Sequence, residues 1–128
     1  MRLLLDTHVL LWWLDDSPRL PAMIQELIAD PETTVFLSTA TLWEIRIKER
    51  LGKLVLPSNF DAVLDISSFH WLPISRTHAD GTAKLPEHHR DPFDRMLVAQ
   101  AQSEDLILVT GDAHLAMYGR NVLTFRPN

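Results

Sequence analysis

Arg2–Leu14, RLLLDTHVLLWWL, is the stretch on which the fold turns. A short leucine run meets a lone aspartate, and a second apolar segment follows at once. Arg2–Leu5 reads as the first strand, ending at Asp6. Val9–Leu14 reads instead as a helix, so apolar all round that it must be mostly buried or lie against a partner. Asp6 stands between the two elements. A strand passing directly into a helix is the opening half of a βαβ unit.

The alternation recurs along the rest of the chain. SPRLP interrupts it, and Ala22–Ala29 forms another helical segment. Thr34–Leu37 is β-branched and aromatic and reads as the second strand. Ser38 or Thr39 then caps a helix in which Trp43, Ile47 and Leu51 recur every four residues, with Gly52 ending it. Phe60–Ser67 reads as a short helix, Trp71–Ile74 as a short strand, and residues 77–84 as a helix. After the LPEHH loop a helix runs to about Glu104. Leu106–Val109 is a buried strand, Ala113–Tyr118 one or two helical turns, and Val122–Phe125 a last strand. These elements predict one five-stranded, doubly wound α/β domain over residues 1–128. In such sheets ligands gather at the carboxyl ends of the strands, where the strand order reverses.

Composition narrows the classes. At 128 residues, 46% hydrophobic and 23% charged, the chain can bury a core without a metal or disulfide staple. It has no cysteine, which excludes disulfides and thiolate metal sites. Its apolar start is broken by Asp6 and His8 and lacks the marks of a secretory leader or membrane span, so a soluble, unprocessed, cytoplasmic protein is expected. The formal net charge of −5 lacks the basic surface of a typical nucleic-acid binder. A metal ion at the site removes that objection.

Four acids fall where a parallel sheet concentrates chemistry. Asp6 follows the first strand, and Asp112 follows the LILVTG strand. Glu44 lies one to two turns into the helix after the second strand. Asp94 lies in the first turn of the helix leading into the fourth. Carboxylates gathered in this way repel, and a divalent cation relieves them. Mg²⁺ is hard, takes oxygen ligands, and suits phosphodiester hydrolysis.

Each acid also has a local explanation. Asp6 can cap the helix over Thr7–Leu14, Glu44 can pair with Lys48 at i,i+4, and Asp112 can begin the turn of TGDAH. In HHRDPFDRML, His88–Leu97, Asp91 as N-cap, Pro92 at the first helical position and Asp94 at the third make a complete helix-start signature. No one of the four is decisive alone.

Taken together, LLLDTHVLLWWL, LSTATLWEIRIKERLGKL, LPEHHRDPFDRMLVAQA and LVTGD closely resemble, in order and spacing, the PIN-domain nucleases of the VapC type, toxins of type II toxin–antitoxin pairs. The resemblance covers nearly the whole chain. It implies a PIN-like three-layer α/β/α domain with a central, mainly parallel five-stranded sheet. It also implies an endoribonuclease dependent on Mg²⁺, with Mn²⁺ as substitute, that hydrolyses RNA with a water activated at the metal.

By matching position, Asp6, Glu44, Asp94 and Asp112 become the catalytic, metal-holding quartet. Thr7, Ser38 and Thr110 match hydroxyl positions beside those acids and can serve them or act as caps. Asp91 is a secondary candidate whose main role is expected to be the cap. Arg90 and Arg95 are candidates for contact with RNA phosphate. The resemblance further implies a cognate VapB-like antitoxin and a homodimer. Trp12, Trp13 and Trp43 are assigned to core, dimer or antitoxin contact. His88 and His89 are adjacent, so their side chains should diverge rather than share a zinc ion.

The rivals fit less well. A receiver domain needs an acidic pair after strand one and a lysine after the last strand. Here Thr7 and His8 follow Asp6, and Arg126 and Pro127 follow VLTF. Haloacid dehalogenase-type phosphatases need an aspartate where His8 stands. A PIN-like scaffold that binds a partner and cuts nothing is the non-enzymatic alternative.

Overall fold

The computed structural model describes all 128 residues. Its elements are β1 (Arg2–Leu5), α1 (Thr7–Leu14), α2 (Ala22–Ala29), β2 (Thr34–Ser38), α3 (Thr39–Arg50), α4 (Phe60–Ile66), β3 (His70–Leu72), α5 (Arg76–Ala83), α6 (Pro92–Glu104), β4 (Ile107–Thr110) and β5 (Val122–Thr124), with a 3₁₀ turn over Ala113–Tyr118 between the last two strands. The strands form one sheet of order β3-β2-β1-β4-β5. Every pairing is parallel, so the sheet is wholly rather than mainly parallel.

The leucine run explains why β1 is central. Leu3, Leu4 and Leu5 are fully buried. Because strand side chains alternate, Leu3 and Leu5 enter one core with Val9, Leu10, Ile24 and Ile45, while Leu4 enters the opposite core with Leu97, Val98, Leu106 and Leu108. Burying each such side chain contributes roughly 1.5–3 kcal/mol. The sheet is thus covered on both faces, as a parallel sheet requires.

The strand boundaries differ from the sequence reading by one or two residues, which periodicity alone does not resolve. β3 begins at His70 because Phe36 to Ser38 pair with His70 to Leu72, and it ends before Ile74. Helix α1 is not wholly enclosed: Val9 and Leu10 are buried, whereas Leu11 to Leu14 are half-buried. Gly52, at φ 72°, takes the left-handed conformation just past α3 and ends it as anticipated. The strand order reverses between β1 and β4, which are neighbours in the sheet. The crevice at their carboxyl ends is where such a fold presents ligand-binding groups.

Candidate metal centre

Register brings the first acid to its place. Leu5 pairs with Val109, and the Asp6 N–H continues the ladder to Val109 O at 3.1 Å. Asp6 then becomes the N-cap of α1, its Oδ1 accepting the Val9 N–H at 3.0 Å. Its Oδ2 accepts the Thr110 hydroxyl from the end of β4. The carboxyl is only 6% exposed. Burial holds its pKa above the ordinary carboxylate value, against the hydrogen bonds from Thr110 and Val9 that favour the ionised form.

Glu44 points in from α3 and is equally buried, at 6% exposure. Thr7 donates its hydroxyl to Oε1 at 2.5 Å, and Lys48 donates to Oε2 at 2.7 Å. The i,i+4 pair anticipated with Lys48 therefore forms, but within the cleft. That hydrogen bond, with the charge of Glu44 behind it, raises the Lys48 pKa.

The start of α6 separates the two aspartates of DPFD. Asp91 Oδ1 accepts the N–H groups of Phe93 and Asp94 at 2.8 and 3.2 Å, with Pro92 at the first helical position. Asp94 caps nothing. Burial, then the charges of Asp91 and Asp6, push its carboxyl up to about 7, only partly opposed by His89. Asp112 caps the 3₁₀ turn by accepting the His114 N–H at 2.9 Å. Burial raises the Asp112 pKa, but the His114 amide and the His89 ring outweigh it and leave the group below its ordinary value. Thr110 joins the two strand ends: it donates to Asp6 and accepts the Asp112 N–H at 3.0 Å.

Asp6, Glu44, Asp94 and Asp112 line a single cleft of about 350 Å³, together with Asp91, Lys48 and Arg19. Of the three hydroxyl candidates, Thr7 and Thr110 serve carboxylates. Ser38 is a cap, accepting the Ala40 N–H at 3.0 Å.

The two arginines expected to contact RNA phosphate do not line this cleft. Arg95 turns its guanidinium onto the carbonyls of Thr82, Leu85, Pro86 and His89 and onto the Tyr118 hydroxyl. It ties the end of α5 and the loop after it to α6. Arg90 is exposed and lines a neighbouring depression with Trp43, Ile74 and Phe93. Arg19, whose guanidinium lies 4.9 Å from the Trp12 ring, and Lys48 are the cations at the cleft instead.

The two histidines diverge as expected. His88 packs edge-on to Tyr118, while His89 reaches Asp112 at 3.1 Å and Asp94 at 3.4 Å. The sequence reading had not paired His89 with the acids. His89 lies in the irregular loop between α5 and α6, where no periodic pattern places a side chain. Trp12 and Trp13 are half-buried, and Trp43 is 60% exposed against Phe93.

The donor set fits a hard divalent cation. Four carboxylates converge, and two of them are held above their ordinary pKa by burial and mutual charge. A cation offsets both effects.

A family model described as PIN domain matches residues 3–121. No curated protein sequence gives a significant match. Among solved structures, the chain is similar to one in VapBC2 from Rickettsia felis, crystallised on a DNA fragment from the promoter: 18% identity, full coverage of both chains and a TM-score of 0.74. A chain of VapBC-1 from nontypeable Haemophilus influenzae gives 17% identity, 98% coverage of each chain and a TM-score of 0.69. VapBC-5 from Mycobacterium tuberculosis, a member of the VapBC toxin–antitoxin family, gives 21%, 98% of each chain and 0.60. Identities at this level speak to the fold.

Proposed function

The chain belongs to the PIN-domain family, and from that premise we propose that it is a metal-dependent endoribonuclease, the toxin of a VapC-type toxin–antitoxin pair. The observation that carries the reading is the convergence of Asp6, Glu44, Asp94 and Asp112 on one cleft from four separate elements. PIN domains are nucleases, and the similar solved chains come from complexes described as VapBC or toxin–antitoxin.

In this reading Asp6, Glu44, Asp94 and Asp112 hold the cation, Mg²⁺ or in its place Mn²⁺. When bound, the ion offsets the carboxylates, activates a water and stabilises charge on the phosphate. The chain's own residues set the geometry. Thr110 and the Val9 N–H fix Asp6, and Thr7 and Lys48 fix Glu44. Asp112 is fixed by the His114 N–H. Fixing carboxylates before substrate arrives lowers the reorganisation required during reaction. Arg19 and Lys48, at the rim of an otherwise acidic cleft, are placed to meet the RNA backbone. Water adds to phosphorus as the bond to the 3′ oxygen breaks, leaving a 5′-phosphate and a 3′-hydroxyl.

The same reading includes a VapB-like antitoxin, a homodimer and action in the cytoplasm. The exposed apolar residues Trp43, Trp71 and Ile74 offer surface for protein contact. No helix is long and apolar enough to cross a membrane.

Mapping RNA ends in cells after induced expression tests activity and substrate together. New 5′ ends at discrete positions are expected with the wild type and not with Asp6→Asn. Equal patterns from both, or no new ends from either, would overturn the proposal.

A further inference from the structure

His89 lies in the loop entering α6, and its two ring nitrogens face different groups. Nδ1 is 3.0 Å from the backbone nitrogen of Asp91. Nε2 is 3.1 Å from Asp112 Oδ2 and 3.4 Å from Asp94 Oδ2. The imidazole and the two carboxylates bring one donor atom each within 4.8 Å of one another. That proximity suggests a mixed nitrogen–oxygen metal site.

The hydrogen bonding argues otherwise. A backbone N–H can only donate, so Nδ1 must accept, and the ring hydrogen must sit on Nε2. A nitrogen bearing hydrogen has no lone pair to give a metal. We infer that His89 is a positioning residue and not a ligand: from Nε2 it donates to Asp112 and fixes that carboxylate at the edge of the cleft, beside Asp94. Three links make the device. The Asp91 amide that opens α6 sets the tautomer of His89, and His89 in turn orients an acid at the far strand end.

The consequence concerns cofactor class. If His89 does not ligate, the cation is held by oxygen from the chain, which favours Mg²⁺ and Mn²⁺ over the imidazole-seeking Zn²⁺, Ni²⁺ and Cu²⁺. The inference rests on the reading of the four acids as cation ligands.

The test uses the purified full chain, Mn²⁺ as probe, and the variants His89→Ala and His89→Gln. Binding is titrated by electron paramagnetic resonance, and pulsed spectra report whether nitrogen is bonded to the ion. Thermal melting and circular dichroism verify folding. The wild type should show no directly bonded nitrogen. His89→Ala should bind Mn²⁺ about 10- to 100-fold more weakly, the usual effect of removing a residue that orients a ligand. Glutamine places an amide N–H at a reach close to that of Nε2, so His89→Gln should recover most of the affinity.

A nitrogen coupling typical of direct ligation in the wild type overturns the inference. So does His89→Ala binding as tightly as wild type, or folded His89→Gln binding as weakly as His89→Ala. Should His89→Ala fail to fold, the wild-type spectrum and the His89→Gln affinity decide. A folded wild type that binds no Mn²⁺ overturns the acid-quartet reading itself and this inference with it. That result is distinct from one in which the wild type binds and His89 proves irrelevant.

Discussion

The hydroxyl of Thr110, at the end of β4, donates to the buried carboxylate of Asp6, at the end of β1, and accepts the N–H of Asp112. One side chain therefore couples two acids more than a hundred residues apart in sequence. Thr110→Val keeps the shape and removes both bonds. Leaving a buried polar group without its hydrogen-bond partner costs roughly 1–3 kcal/mol. Chemical denaturation should show a loss of that order, with Thr110→Ser recovering much of it. A stability equal to wild type would mean that the bond contributes nothing.

The two aspartates of DPFD should respond in opposite directions. Asp91 accepts two helix-start N–H groups, so Asp91→Ala should lower stability by about 0.5–2 kcal/mol. Asp94 accepts none, and its charge is opposed by burial and by its acidic neighbours. In EDTA, Asp94→Asn should be as stable as wild type or more so, and inactive with metal restored. A clear loss of metal-free stability with cleavage intact would reduce Asp94 to a structural residue.

The Asp94 carboxyl also fixes a pH dependence. Folding raises it from 3.8 to about 7, so between those values the folded chain keeps a proton that the unfolded chain has released. Stability of the metal-free protein from this group is therefore greatest at low pH, falls as pH rises towards about 7, and levels off above. The wild-type minus Asp94→Asn difference, followed by denaturation in EDTA, should show that slope. Cation affinity should move the other way, rising by up to about tenfold per pH unit below 7, because the ion displaces the proton. A pH-independent affinity across this window would contradict the assignment.

Arg95 should behave as a structural residue. Its guanidinium serves four carbonyls and the Tyr118 hydroxyl, a fork that lysine cannot reproduce. Arg95→Lys should lower the melting temperature, with a cost of about 1–3 kcal/mol. RNA affinity of the remaining folded protein should stay unchanged. A variant that melts like wild type but binds RNA poorly would restore the substrate role.

Much of this was legible in the sequence, for reasons that differ by residue. The leucine run of β1 was legible as a strand ahead of Asp6, and the structure adds that Leu3, Leu4 and Leu5 are all buried because both sheet faces are covered. The acids were legible as a set because strand ends in a parallel sheet share one edge. A local cap and a place in the cleft are also compatible: Asp6 and Asp112 are N-caps that line it. A cap places its carboxylate at a helix start, and these two starts directly follow β1 and β4.

What stayed hidden depended on side-chain direction. Arg95 adjoins Asp94 in sequence but lies about 100° round the helix, so it turns to the end of α5 and the loop that follows. Arg19 reaches the cleft from a loop with no periodic pattern to place it. Ser38 and Thr110 looked alike as hydroxyls after strands, and only packing shows that one caps a helix while the other serves a carboxylate.

The most direct measurement is cleavage of structured RNA by the purified chain, freed of any antitoxin, with Mg²⁺ or Mn²⁺ and with EDTA, for wild type, Asp6→Asn and Asp94→Asn. Fragments bearing 5′-phosphate are expected from the wild type with metal alone, and from neither variant. Cleavage that persists in EDTA or in either variant, or a wild type that cuts no RNA with metal present, would contradict a metal-dependent ribonuclease built on this quartet.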